Sequence, residues 1–185
     1  EHRRDYSIAP GKNCLDVLEG EGVEVISVGK IDDIFNHRSI SRGKHTGNNA
    51  DSLRATLDFL KDTRGDQAFI FTNLVDFDML YGHRRDPRGY AQALAQLDAF
   101  YPQLLSELRD DDLVLLTSDH GCDPTFRGTD HTREYVPLVA VGPNLKGGDL
   151  GNRSSFADVA ASVLEAFGIV SDLPDLGKSF LDPLS

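Results

Sequence analysis

The chain has 185 residues, of which 39% are hydrophobic and 26% are charged, and its formal net charge is −11. This composition is typical of a globular domain with a core of its own, and it excludes a disordered or fibrous chain. The 30 acidic residues outnumber the 19 basic ones, which argues against nucleic-acid binding. No apolar run reaches the ~20 residues that a membrane-spanning helix requires. On these two grounds, neither nucleic acid nor a membrane is an expected partner.

The first half of the chain alternates between short β-like runs and helical patterns. A short helix over 13–20 precedes a strand over 23–29, VEVISVG. The polar stretch 36–47 predicts a mobile loop. The asparagine pair 48–49 can cap a helix with an apolar face, and the near-continuous apolar run 68–78, AFIFTNLVDFD, is typical of a central parallel strand.

The second half continues this alternation. The Asp-Pro pair 86–87 is a cap and first-turn signal for a long helix, whose apolar residues suit packing on a sheet. Another buried strand is predicted over 112–121, and an edge strand over 135–142, where a proline cannot donate to a ladder. A serine at 154–155 opens the last helix. Strands alternating with helices predict an α/β fold with a mostly parallel sheet and helices on both faces.

Aspartates and histidines follow two of these strands, at the sheet edge where ligands bind in open α/β folds. They are Asp76, Asp78, His83, Asp119, His120, Asp130 and His131. Taken singly, each is more simply a turn residue or a solvated side chain. Together, mixed carboxylates and imidazoles suit Mn²⁺, Zn²⁺ or iron, and five or six of them suit two ions. Two ions ~4 Å apart can clamp a transferring phosphoryl group, so the residues predict a dinuclear site for phosphate-ester chemistry.

Long strings of this sequence resemble the phosphopentomutase family of the alkaline phosphatase superfamily. The strings are VGKIDDIF at 28–35, NLVDFDMLYGHRRDPRGYAQAL at 73–94, SDHGCDP at 118–124, GTDHTREYVPL at 128–138, SFADVAASV at 155–163 and GKSFL at 177–181. The resemblance implies a manganese-dependent isomerase that interconverts ribose 1-phosphate and ribose 5-phosphate, and the deoxyribose pair. Family members are about twice as long, so 11–185 would be the C-terminal part of a metal-binding, alkaline-phosphatase-like core, and 1–10 the tail of a preceding cap-side element.

The resemblance also implies roles for five residues. It makes Asp78, His83 and His131 the ligands of one manganese ion, and it assigns Asp119 and His120 to a second ion, together with an aspartate from the family's N-terminal half. The nucleophile of the family is a threonine in that same half, so no catalytic nucleophile is expected in this chain. We therefore expect one ion to bind well and a second only weakly.

Three basic residues are candidates for holding the substrate's distal phosphate. Lys30 follows the strand over 23–29, although a solvated loop lysine is an equally good reading. Arg84 and Arg133 are further candidates, and each is equally able to pair with Asp86 or Glu134. The expected partners are a pentose phosphate substrate and the N-terminal half of the same enzyme.

Three functional readings follow. The first is a phosphopentomutase as the complete protein, with this chain inactive alone. The second is another metal-dependent phosphatase or mutase of the superfamily, and the third an inactive metal-binding fragment. The two cysteines, Cys14 and Cys122, lie far apart in the sequence and form no disulfide framework, so we expect a cytoplasmic protein. Cys122 is expected to be a packed thiol rather than a metal ligand.

Overall fold

The computed structural model describes residues 11–63 and 65–181. The expectation for residues 1–10 lies outside the described residues. The elements, in chain order, are α1 (Cys14–Gly20), β1 (Glu24–Val28), α2 (Ile31–Ile34), β2 (Arg42–Lys44), α3 (Asn49–Asp62), β3 (Ala68–Thr72), a π-helical turn (Phe77–Gly82), α4 (Pro87–Leu105), β4 (Val114–Thr117), β5 (Leu138–Val141) and α5 (Ala157–Ala166). Among these elements, no helix combines the length and the apolar character needed to cross a membrane.

Three strands form a parallel sheet in the order β2-β1-β3. The central strand β1 is the core of the protein, because Val25, Ile26 and Val28 have no exposed surface. Apolar residues of α1 and α5 pack against it; they are Leu15, Leu18, Val163 and Leu164. The predicted α/β class, with a parallel sheet and helices, is confirmed.

The remaining two strands form a separate antiparallel pair, in which Val114 lies opposite Val141. The strand predicted over 112–121 exists as β4, but the expectation that it lies in the same sheet as β1 is wrong. Within the described residues β4 pairs with β5 alone, and its first three side chains are half-buried whereas Thr117 is exposed. An apolar run predicts burial but does not say which strand lies alongside, so this difference could not be read from the sequence.

Two predicted boundaries also differ from the structure. The stretch 36–47, expected to be a loop throughout, contains β2, which is exposed along its length. Arg42 on β2 donates hydrogen bonds to Glu24 and Asp62. A strand made of such polar, exposed residues lacks the alternation of apolar and polar residues from which strands are predicted. The run 68–78 ends as a strand at Thr72, and its remainder forms the π-helical turn.

The long helix α4 packs against the π-helical turn. It starts where predicted, with the Asp86 side chain accepting a hydrogen bond from Gly89 N at 2.9 Å. The rings of Phe77 and Tyr90 lie 5.2 Å apart, and α4 buries only Gly89 and Ala93. Of the six apolar residues that were predicted to pack on a sheet, Leu94 is 50% exposed and contradicts the prediction, whereas the other five are half-buried.

The C-terminal segment is fastened to α5 by a buried carboxylate. Asp158 accepts hydrogen bonds from Arg153 Nε at 2.8 Å and from the backbone N–H of Lys178 at 2.9 Å. The hydroxyl of Ser162 accepts a hydrogen bond from Phe180 N, whose side chain is fully buried. These contacts close the core on the side of α5.

Candidate metal centre

The π-helical turn after β3 places Asp78 and His83 on the same side of the chain. The backbone N–H of His83 donates to the carbonyl of Asp78, which closes a wide turn over five residues. As a result, Asp78 Oδ1 and His83 Nε2 lie 3.3 Å apart. Single π-helical turns are often found at functional sites, because they bring side chains together that an α-helix would separate.

His131 reaches the same carboxylate from a loop far away in the sequence. Its Nε2 atom is also 3.3 Å from Asp78 Oδ1. One ligand atom of each of Asp78, His83 and His131 lies within 4.8 Å of the other two, and all three side chains are at least partly accessible. One carboxylate and two imidazoles are a donor set that suits Mn²⁺, Zn²⁺ or iron, so these residues fit a bound metal ion.

Hydrogen bonds on the far side of two rings fix which nitrogen is free to bind a metal. His83 Nδ1 contacts the carbonyl oxygen of Thr129, and His120 Nδ1 lies 3.1 Å from the carbonyl oxygen of Gly121. A carbonyl only accepts, so we assign the proton to Nδ1 in both rings. Each Nε2 then keeps a free lone pair, and it lies 3.3 Å from Asp78 Oδ1 in His83 and 4.0 Å in His120. A ring whose other nitrogen is held by a carbonyl is typical of histidine metal ligands.

Asp119 and His120 flank this group without belonging to it. His120 Nε2 is 4.0 Å from Asp78 Oδ1 and 3.6 Å from Asp119 Oδ1, and its ring stacks on His131 with 3.6 Å between ring centroids. The Asp119 carboxylate is 78% exposed. The two residues thus lie beside the first group on its open side, and their assignment to a second ion stays a prediction.

Backbone contacts hold the His131 loop against the segment that follows β4. Gly121 and Thr132 form an isolated antiparallel bridge, and Thr132 Oγ1 accepts a hydrogen bond from Asp123 N at 2.7 Å. Sequence reasoning missed this tie and the Thr129 carbonyl. The Gly121–Thr132 bridge and the Thr129 carbonyl carry no sequence signal, because backbone groups accept and donate whatever the side chain is, and a threonine hydroxyl alone does not identify its distant donor.

Two of the three basic candidates lie next to Met79, the neighbour of Asp78. The Lys30 ammonium contacts the Met79 sulphur at 2.8 Å, and Arg84 Nε donates to the Met79 carbonyl at 3.2 Å. Arg133 is exposed and lines an open cleft of about 760 Å³ together with Asp119 and His120. All three candidates thus lie at the edge of the metal-ligand group, and their contact with substrate stays a prediction.

Asp76 and Asp130 do not join the metal-ligand group. The carboxylate of Asp76 accepts a hydrogen bond from the backbone of Asn49 at the start of α3. Asp130 lies in the exposed stretch just before His131. Asp76 therefore supports the turn that carries Asp78.

The sequence is similar to proteins of known family over nearly its whole length. The model of the Metalloenzyme superfamily matches residues 16–171. A phosphopentomutase of Alkaliphilus metalliredigens is 50% identical over 181 residues, which are 97% of this chain and 45% of that protein. Those of Anaeromyxobacter sp. strain K and Acetivibrio thermocellus are 52% and 49% identical over 97% and 98% of the chain. The chain spans 45% and 46% of the length of these two relatives.

Proposed function

Because this chain belongs to the metalloenzyme superfamily, we propose that it is the C-terminal part of a phosphopentomutase. The proposed reaction interconverts ribose 1-phosphate and ribose 5-phosphate, and the corresponding deoxyribose phosphates. The observation that carries the proposal is the meeting of Asp78, His83 and His131 at one carboxylate oxygen, in a chain about 50% identical to proteins named phosphopentomutase. We place the protein in the cytoplasm.

Two manganese ions are the proposed cofactors. Asp78, His83 and His131 would hold one, and Asp119 and His120 would contribute to the other. Bound divalent ions would neutralise the charge that develops on a transferring phosphoryl group. The imidazole lone pairs are free for this purpose, because carbonyl oxygens hold the opposite nitrogens of His83 and His120.

The basic residues at the edge of the site would hold the substrate. Lys30 and Arg84 lie against Met79, one residue from Asp78, where a cation could pair with the phosphate that is not being transferred. Arg133 on the cleft wall would act in the same way. Such local cations would offset the net charge of −11 of this chain, which by itself repels a phosphate ester.

The remaining catalytic groups would come from a segment outside this chain. The proposed nucleophile is a threonine that carries the phosphoryl group, and it would lie in the N-terminal half of the enzyme with a further aspartate ligand. This chain spans 45% of the length of two of its relatives, so the remainder of such a protein is long enough to contain an N-terminal half. The chain alone is then inactive, and its partner is the N-terminal half.

The test is an isomerisation assay on the full-length protein that carries this chain. With Mn²⁺ present, ribose 1-phosphate should be converted to ribose 5-phosphate, and the substitution His131→Ala should abolish the conversion. His45→Ala is the matched control, because this histidine is mostly exposed and pairs only loosely with Asp33 at 3.6 Å. Release of inorganic phosphate without isomerisation would replace the proposal with a phosphatase of the same superfamily.

A further inference from the structure

Cys122 lies between the two stretches that carry the metal-ligand residues. Its sulphur is 3.9 Å from Asp78 Oδ1, within the limit for a hydrogen bond to sulphur. This oxygen is the same atom that His83 and His131 approach at 3.3 Å. A carboxylate oxygen only accepts, so the thiol is the donor in this contact.

The sulphur also packs against the end of the π-helical turn. Gly82 is buried there, and a Cβ at this position would overlap with the Cys122 sulphur. Because glycine has no side chain, the Cys122 thiol can pass Gly82 and reach Asp78. The Cys122 side chain lies against both Gly82 and Asp78 of the turn, so it restricts the orientation of the Asp78 carboxylate.

The backbone around Cys122 is fixed relative to the His131 loop. Gly121 pairs with Thr132, and Asp123 N donates to the hydroxyl of Thr132. The thiol thus extends from a segment tied to one metal-ligand residue and contacts another that lies 44 positions away in the sequence. Cys122 thereby connects the π-helical turn, which carries Asp78 and His83, with the loop that carries His131.

We propose that Cys122 is a positioning residue of the metal centre, whose thiol orients Asp78 Oδ1 towards His83 and His131. The inference rests on the proposed metal site and assigns Cys122 no bond to the ion. Removing a hydrogen-bond partner of a metal-binding carboxylate typically weakens metal binding about 10–100-fold. A thiol is a weak donor, so we expect the lower end of that range.

The experiment uses a Cys14→Ala parent, in which Cys122 is the one remaining cysteine. Mn²⁺ affinity is measured by calorimetry for the parent, for added Cys122→Ser and for added Cys122→Ala. The alanine variant should bind about 10-fold more weakly, whereas the serine variant should stay within about 3-fold of the parent, because a hydroxyl still donates. Far-UV circular dichroism checks that each variant is folded.

A second measurement does not depend on either variant. Alkylation of Cys122 by iodoacetamide in the parent should slow several-fold at saturating Mn²⁺, because the ion fixes the carboxylate against which the thiol packs. Equal Mn²⁺ affinity of the alanine variant and the parent, equal weakening by serine and alanine, or an unchanged alkylation rate would overturn the inference alone. A parent that binds no Mn²⁺ would overturn the proposed metal site as well.

Discussion

Asn49 and Asp76 hold each other through two reciprocal hydrogen bonds. The backbone N–H of Asn49 donates to Asp76 Oδ2 at 2.8 Å, and the backbone N–H of Asp76 donates to Asn49 Oδ1 at 2.9 Å. The pair joins the first turn of α3 to the residue that precedes the π-helical turn. Because Asp78 lies two residues further on, the position of the candidate metal ligand depends on this pair.

Substitution Asn49→Ala should destabilise the protein by about 2 kcal/mol. Asn49 is only 7% exposed, and its removal leaves the N–H of Asp76 without the amide oxygen that now accepts from it. Urea unfolding measures the change as a lower midpoint at an unchanged slope. Asn152→Ala, at an exposed position, is the control and should change stability by less than about 0.5 kcal/mol. Equal stability of the two variants would contradict the structural role of Asn49.

Substitution His131→Ala should weaken Mn²⁺ binding by more than about 100-fold, since it removes a direct ligand rather than an outer partner. Calorimetry on the folded variant measures the affinity. His45→Ala removes an exposed histidine and should leave the affinity unchanged. Tight binding by the His131 variant would show that His131 is not a ligand of the bound ion.

The chain should bind one Mn²⁺ ion with useful affinity and a second only weakly. Asp78, His83 and His131 form one three-residue set, whereas Asp119 and His120 supply only two groups. Asp78→Ala should therefore abolish the tight site, and Asp119→Ala should leave it within a few-fold. Two equally tight sites in a calorimetric titration are the result that this expectation forbids.

Binding at the tight site should weaken as the pH falls. An imidazole must be unprotonated to bind a metal, so protons compete with the ion at both histidines. Titrations repeated between pH 8 and pH 5 would measure this. A constant affinity over that range would mean that carboxylates alone hold the ion.

Asp158 should make stability depend on pH in acid. Burial by itself raises the pKa of this carboxyl group, but hydrogen bonds from Lys178 N and from Arg153 outweigh burial and hold the pKa below its usual value. The charged form therefore stabilises the fold above about pH 5, and this stabilisation is lost as the pH falls through the lowered pKa.

The matching variant is Asp158→Asn. It should be less stable than the parent by about 2 kcal/mol at pH 7, and the difference should shrink below about pH 4. Urea unfolding at several pH values measures both effects. Asp172→Asn is the control, because that side chain is 95% exposed. A difference that stays constant down to pH 2 would rule out the proposed linkage.

Much of the fold could be predicted because it depends on local patterns. The helix starts at Asn48 and Asp86 are visible in the sequence, since a capping side chain bonds to a backbone group only two or three residues away. The apolar runs of β1 and β3 identify strands for a similar reason. The exposed strand β2 could not be found in this way, because it is held by backbone pairing with β1, and its Arg42 contacts residues 18 and 20 positions distant.

The candidate metal residues were visible as residue types, and the sequence by itself determined which groups could bind an ion. An aspartate or histidine after a strand is chemically suited to a metal wherever the chain then goes. Only the tertiary structure decided that His83 and His131, 48 positions apart, meet at Asp78 Oδ1. It also decided that Asn49 supports the turn and that Cys122 reaches the same oxygen. The physical reason is that pattern and propensity act over a few neighbouring residues, whereas hydrogen bonds and metal ligands act over a few ångströms between segments that folding brings together.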